Sequence, residues 1–241
     1  MRLSIVVPVF NEAESIGPLL REIGAVANAL PVEDVVIVDD GSHDGTVKAV
    51  LDLKPEIPGL RLVRHLSRRG QSTAIRTGIS RARGDLIVTL DGDGQNNPAD
   101  IPLLFEAYKG AATANPRLLV AGQRTTRRDN TVRKLSSRVA NAVRSSILDD
   151  GVSDTGCSLK LFRREDFLAL PFFNHIHRFI PALMKATGVE VILVGVSHRP
   201  RERGTSKYGV WDRLWVGIHD LIGVSWLIRR TLPRVDTEEG A

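Results

Sequence analysis

A single cysteine, Cys157, occurs in the 241 residues of this chain. One thiol excludes an intrachain disulfide and fits a reducing compartment; Cys157 itself reads as a small packing residue. No stretch of about 18 consecutive apolar residues occurs, so no transmembrane helix is expected and any membrane contact would be peripheral. The opening apolar stretch meets Asn11 and Glu12 before a signal-peptide core is complete, and reads as a first strand. Aromatic residues make up only 5% of the chain, and its basic stretches lack the interleaved rings that stack on bases, which argues against a nucleic-acid partner. Gly-x-Gly-x-x-Gly is missing, and with it the expectation of a dinucleotide cofactor. No internal repeat is visible.

What the chain does have is basic charge in clusters. Its 33 Lys and Arg against 28 Asp and Glu give +5, concentrated at 64–83, 124–144 and 199–213. Such clustering suits an anionic partner, a phosphate or an acidic membrane surface. The length allows one large α/β domain with a short appendage. Strands are expected at 4–9, 35–38, 60–65, 86–90, 118–122, 158–162 and 190–196. Helices are expected at 14–30, 46–53, 71–81, 101–108, 132–148 and 179–187. This alternation predicts a mostly parallel central sheet with helices on both faces and a ligand at the C-terminal edge of the strands. Pro8, Asp40 and Asp91 all fall at that edge.

The segment Leu86-Ile87-Val88-Thr89-Leu90-Asp91-Gly92-Asp93-Gly94-Gln95 ends an apolar strand on two carboxylates and an amide. Two such aspartates can present oxygen ligands to a hard divalent cation while a diphosphate supplies others; a solvated Asp-Gly turn is the plain alternative. Pro8-Val9-Phe10-Asn11-Glu12 is a strand end and polar turn. Val38-Asp39-Asp40-Gly41-Ser42 places consecutive carboxylates after a strand, where they can accept hydrogen bonds from a nucleobase or ribose. Ser42 or Asp44 could also cap the following helix.

These three strand ends, with Arg69-Gly70-Gln71 opening the next helix, resemble the family 2 glycosyltransferases of GT-A fold, which take sugars from nucleotide diphosphates. A narrower resemblance runs over about residues 1–210. It is carried by Asp91 to Gln95, by Gly122-Gln123-Arg124, by Asp154-Thr155-Gly156-Cys157-Ser158-Leu159-Lys160, by His177-Arg178-Phe179 and by Arg203-Gly204-Thr205-Ser206-Lys207-Tyr208. In these the chain is similar to dolichol-phosphate mannosyltransferases and bacterial polyprenyl-phosphate glycosyltransferases.

That resemblance implies that Asp91, Asp93 and Gln95 hold Mg or Mn. It implies donor contacts from Pro8, Asn11, Glu12, Asp40, Ser42, Gln71 and Asp91. Arg124, Arg133 and Ser137 would take the acceptor phosphate, Arg133 and Ser137 sharing one face of a helix at i, i+4 spacing. Arg178 would contact the diphosphate or the acceptor phosphate, unless His177 and Arg178 merely open a helix. Arg203 and Lys207 belong to a flexible strip able to close over the departing nucleotide, or to an exposed basic loop. Asp93, Arg124 and Asp154 are the catalytic candidates. Asp154 serves either as a base or to position Lys160, an arginine or the metal shell, because a phosphate acceptor is already ionised near neutral pH.

The implied organisation is a GT-A catalytic domain at 1–210, an amphipathic helix at 211–232 and a disordered tail at 233–241. Trp211, Leu214, Trp215, Ile218 and Ile222 share one helical face. Tryptophans and aliphatics with Arg229 and Arg230 behind them suit a helix lying on a bilayer, and packing on the domain or a dimer contact would use the same stripe. The implied activity is inverting transfer of a hexose to a polyprenyl or dolichyl phosphate by a cytoplasmic protein peripheral at the inner face of the membrane, with GDP-mannose the default donor and a UDP-sugar the other choice. Transfer to a glycan hydroxyl, or a silent nucleotide-sugar-binding module, are the alternative readings. Oligomeric state has no signature in the sequence.

Overall fold

The apolar run after Arg2 becomes the first strand because its residues are buried on both sides. In β1 (Leu3–Val9) Leu3, Ile5, Val7 and Val9 face one core while Val6 faces another. In β2 (Val32–Asp39), Val35 and Ile37 join the first core and Val36 and Val38 the second. Near-continuous β-branched runs of this kind belong to a sheet covered on both faces. The computed structural model describes residues 1–115, 117–125, 147–148, 151–152, 154, 156–200 and 210–231.

Among the described residues seven strands form one sheet in the order β3-β2-β1-β4-β6-β5-β7. The remaining strands are β3 (Leu60–Arg64), β4 (Leu86–Thr89), β5 (Leu118–Arg124), β6 (Lys160–Arg163) and β7 (Glu190–Val196). β1 pairs in parallel with β2 and β4, and β2 with β3. β6 runs antiparallel between β4 and β5, while β5 and β7 are parallel to each other. The mostly parallel sheet expected from the alternation is present, and the reversed strand is what the alternation did not reveal. Reversal matters for the site, because it brings the start of β6, Lys160, beside Thr89 at the C-terminal end of β4.

Helices α1 (Ala13–Ala27), α2 (Thr46–Leu53) and α4 (Ile101–Ala112) cover the first core. Helices α3 (Gln71–Arg81), α5 (Arg164–Leu168), α6 (Ile180–Ala186) and α7 (Val210–Arg230) cover the second. α1 stops three residues before the apolar periodicity does, with the backbone N–H of Asn28 returning to Gly24 O. α5 was not anticipated; it is a single short turn-and-a-half with Phe167 stacked on Phe162 at 5.7 Å. Most of the helix expected at 132–148 lies outside the described residues, as does the tail at 233–241. Of α7, Val224 is buried and Leu221 and Ile228 pack on the second core. Ile222, a member of the stripe seen in the sequence, points away from it. Among the described residues no helix is long and apolar enough to cross a membrane.

Candidate active site

The ends of β1 and β2 are joined through side chains. Asn11 adopts a left-handed φ of 54°. Its N–H donates to Ser42 Oγ at 2.8 Å, and its Oδ1 accepts from His43 N–H at 2.9 Å. Glu12 N–H donates to Thr46 Oγ1 at 2.8 Å. Asn11, Glu12 and Ser42 therefore form one polar rim. Of the two candidate caps for α2, Asp44 is the one whose Oδ1 accepts from Thr46 N–H, at 2.9 Å.

Asp40, buried at 4% exposure, has internal partners on both oxygens. Its Oδ1 accepts from Arg69 N–H at 2.8 Å and lies 2.8 Å from His65 Nδ1, and its Oδ2 accepts from Gly70 N–H at 2.7 Å. This carboxylate pins the loop that opens α3. The pinned loop also places the Arg68 guanidinium 4.2 Å from the centre of the Phe10 ring.

Pinning that loop positions Gln71 in the first turn of α3. Gln71 Nε2 donates to Asp91 Oδ1 at 2.7 Å, and Asp91 N–H donates to Ser158 Oγ at 3.1 Å. Gly92 follows where no side chain fits: a Cβ there would stand 2.6 Å from Val9 Cγ1 and 3.0 Å from Pro8 O. The Asp91-Gly92-Asp93 turn is thus pressed against the end of β1. Asp93 Oδ1 accepts from Gln95 N–H at 3.1 Å, closing the turn over Gly94. Burial, and then the charge of Asp93, raise the Asp91 carboxyl to about 6.

A cavity lies on either side of this turn. The one toward α1, about 130 Å³, is lined by Glu14, Ser15, Glu22, Asp93 and Arg199. The one toward α3, about 170 Å³, is lined by Gln71, Asp91, Ser158, Lys160, His177 and Arg178. His177 Nδ1 lies 2.8 Å from Ser72 Oγ. Burial, with Arg178 and Lys160 nearby, pushes its pKa down to about 3, so the ring is neutral. Beyond the cavity, Arg124 and Asp154 form a two-pronged ion pair, Nε to Oδ2 and Nη2 to Oδ1 both at 2.6 Å. Asp154 thus engages an arginine, one of the positioning roles foreseen for it, with both of its oxygens.

Residues 4–170 match the Glycosyl transferase family 2 profile. A dodecaprenyl-phosphate galacturonate synthase of Rhizobium johnstonii is 37% identical over 234 residues, covering 95% of this chain and 68% of that protein. The chain belongs to glycosyl transferase family 2. An undecaprenyl-phosphate 4-deoxy-4-formamido-L-arabinose transferase of Sodalis glossinidius is 38% identical over 212 residues, 87% of this chain and 63% of that one. The chain therefore spans about two-thirds of the length of these curated relatives. Its architecture is the GT-A fold. A glucosyl-3-phosphoglycerate synthase from Mycobacterium tuberculosis, crystallised with Mn2+, UDP-glucose and phosphoglyceric acid, superposes with a TM-score of 0.65 at 20% identity, covering 94% of this chain and 79% of that one. A mannosyl-3-phosphoglycerate synthase from Rubrobacter xylanophilus gives 0.68 at 17% identity, with 98% and 77% covered.

In this family 2 glycosyltransferase the sequence candidates Pro8, Asn11, Glu12, Asp40, Ser42, Gln71, Asp91, Asp93 and Gln95 gather along one edge of the sheet, with Arg124, Asp154 and Arg178 beyond the Asp91 turn. Arg133, Ser137, Arg203 and Lys207 lie outside the described residues. Four contributors carried no role in the sequence reading: Ser158, which accepts from Asp91 N–H; Asn96, whose Oδ1 accepts from Ser158 Oγ at 2.5 Å; Ser72; and His65. Lys160 had figured only as a companion of Asp154. Its signal was present, a lysine inside an apolar strand, and the structure buries it to 3% exposure. Cys157 is buried in the first core, the packing role expected of it.

Proposed function

We propose that the chain is an inverting glycosyltransferase that moves a hexose from a nucleotide-diphosphate sugar to a polyprenyl phosphate. The observation that carries this reading is the Asp91-Gly92-Asp93 turn, held between the polar rim of Asn11 and Ser42 and a cavity with cationic walls. The nucleoside would lie along Pro8–Glu12 and Asp40, the diphosphate on the turn, and the acceptor phosphate against Arg124 and Arg178, with Arg133 and Ser137 completing its site. Arg203 and Lys207 would close over the leaving nucleotide.

Asp91, Asp93 and Gln95 fit a hard divalent cation such as Mg or Mn. They offer only oxygen donors, and burial and the charge of Asp93, which raise the Asp91 carboxyl, are both offset by a bound cation. Among the described residues no cluster of three or more His, Cys, Asp or Glu could hold a metal, so substrate oxygens would complete the shell. The bound ion would supply Lewis-acid stabilisation of the departing diphosphate. An acceptor phosphate oxygen attacks the anomeric carbon from the face opposite the diphosphate. The bond from that carbon to the diphosphate oxygen breaks, its electron pair leaves with the nucleoside diphosphate, and configuration inverts. An ionised phosphate needs no base, which agrees with Asp154 being engaged by Arg124. A glycan hydroxyl acceptor would need one.

The resemblance in the sequence makes GDP-mannose the default donor. The curated relatives, named for galacturonate and formamido-arabinose transfer, support a wider choice of sugar. On α7, Ile222 and Trp226 are 65% and 60% exposed, and Arg229 and Arg230 follow. This face suits peripheral seating on the cytoplasmic side of a membrane that carries the acceptor. The deciding experiment incubates the protein with Mn or Mg, a polyprenyl phosphate and a panel of GDP- and UDP-sugars, with mass spectrometry of the lipid fraction. A sugar-phosphate-lipid supports the reading and names the donor. No glycolipid with any donor, despite nucleotide binding, refutes it.

A further inference from the structure

The lysine at the start of β6 is the least expected group in the molecule. Lys160 is 3% exposed, yet it lines the cavity of about 170 Å³ on the α3 side of the Asp91 turn. Its ammonium donates to the Cys157 carbonyl, and an ammonium has three donors. Among the described residues no carboxylate comes within salt-bridge distance of it; Asp91 and Asp154 act on it only through their fields. Asp154 is already bound on both oxygens by Arg124, and the Gln71 amide bonds Asp91. The cavity also receives Arg178 and the Ser158 hydroxyl, and its histidine, His177, is neutral.

Burying an ammonium costs several kcal/mol unless an anion meets it. Among the described residues none meets it at contact, and the cavity is open to a substrate. With Asp91 taken by a cation, two positive side chains, Lys160 and Arg178, would face the space where the reacting sugar and acceptor meet. We infer that Lys160 and Arg178 form a seat for a substrate oxyanion, with Lys160 as its buried anchor. This rests on the glycosyl-transfer reading and deepens it. Two substrate groups have the required chemistry: the carboxylate of a hexuronic acid donor and the phosphate of the polyprenyl acceptor. Both are oxyanions able to accept from the free ammonium donors and the guanidinium.

The test uses the full chain with Mn and compares wild type, Lys160→Met and Lys160→Arg. Methionine keeps much of the volume and removes the charge, and arginine restores it. A nucleotide-diphosphate hexuronate and its neutral hexose counterpart are assayed over a range of polyprenyl phosphate. If the seat reads the donor, Lys160→Met lowers the ratio of kcat/KM for hexuronate over hexose by about 10- to 100-fold, the worth of a hydrogen bond to a charged group. If it reads the acceptor, the KM for polyprenyl phosphate rises by a similar factor with either donor. Recovery in Lys160→Arg completes support in both arms.

An equal fall in kcat with every substrate and no change in either KM would overturn the inference, as would wild-type kinetics in Lys160→Met. Calorimetric titration of the Mn-loaded protein with galacturonate, and separately with inorganic phosphate, reads the seat without turnover. Binding of either that is lost in Lys160→Met supports the seat even if no glycolipid forms and the transfer reading fails; binding of neither overturns it.

Discussion

Gln71 and Asp91 are joined by a 2.7 Å hydrogen bond between the first turn of α3 and the end of β4. Gln71 stands where it does because Asp40 holds the two preceding backbone N–H groups, of Arg69 and Gly70. The nucleoside end of the proposed site and its metal turn are therefore mechanically linked. Gln71→Leu is expected to lower kcat/KM by about tenfold, the worth of one charge-assisted hydrogen bond. Thermal stability should hardly change, because Gln71 is exposed. Steady-state kinetics beside a melting curve check this, and an unaltered kcat/KM would remove Gln71 from the site.

Asp93→Ala is expected to abolish turnover with the fold retained. Full activity of this variant in Mn, with a native circular dichroism spectrum, would end the metal assignment.

Gly92 and Gly94 should respond to alanine for different reasons. At Gly92 the new Cβ meets Val9 Cγ1 at 2.6 Å and Pro8 O at 3.0 Å, so the metal turn must lift from β1. A loss of about 1–3 kcal/mol is expected, together with loss of activity. At Gly94 nothing lies within 4 Å and only the φ of 76° is strained, costing about 1–2 kcal/mol. Denaturant titration measures both, and activity should separate them, with Gly94→Ala the better catalyst.

Arg124 and Asp154 are 14% and 9% exposed in their side chains, so breaking the pair leaves a buried charge. Asp154→Ala is expected to cost about 3–5 kcal/mol, whereas Arg124→Met combined with Asp154→Leu should recover much of that stability. An Asp154→Ala protein as stable as wild type but inactive would instead point to a base.

His177 makes stability depend on pH. Its folded pKa lies near 3 against 6.5 for the free side chain, so below pH 6.5 the unfolded chain takes up a proton that the folded chain refuses. The contribution is complete above pH 6.5 and is lost as pH falls toward 3. Between pH 7.5 and 5 it should amount to at most about 2 kcal/mol. Urea titrations of wild type and His177→Gln at the two pH values isolate it, and parallel losses in both proteins would rule it out.

Where an apolar run stops on polar residues, the sequence was enough. Strand ends at Pro8, Asp40 and Asp91 follow from local hydrophobic pattern, and a mostly parallel sheet necessarily gathers those ends on one edge. The candidate donor and metal residues were legible for that reason. α5 was not, because a helix of five residues has too few turns for its periodicity to register.

Contacts between distant residues have no such local signal. Gln71 and Asp91 are 20 residues apart, Arg124 and Asp154 30, Ser72 and His177 105. Each meeting depends on the order of strands, and that of Arg124 with Asp154 also on β6 running backwards between β4 and β5. The sequence by itself determined which chemistry reaches the edge of the sheet, since hydrophobic periodicity decides where a strand ends. Only the tertiary structure decided which of those groups are already engaged, as Asp154 is by Arg124, and which face an open cavity, as Lys160 does. Pairing is a property of distances that the packed sheet alone sets.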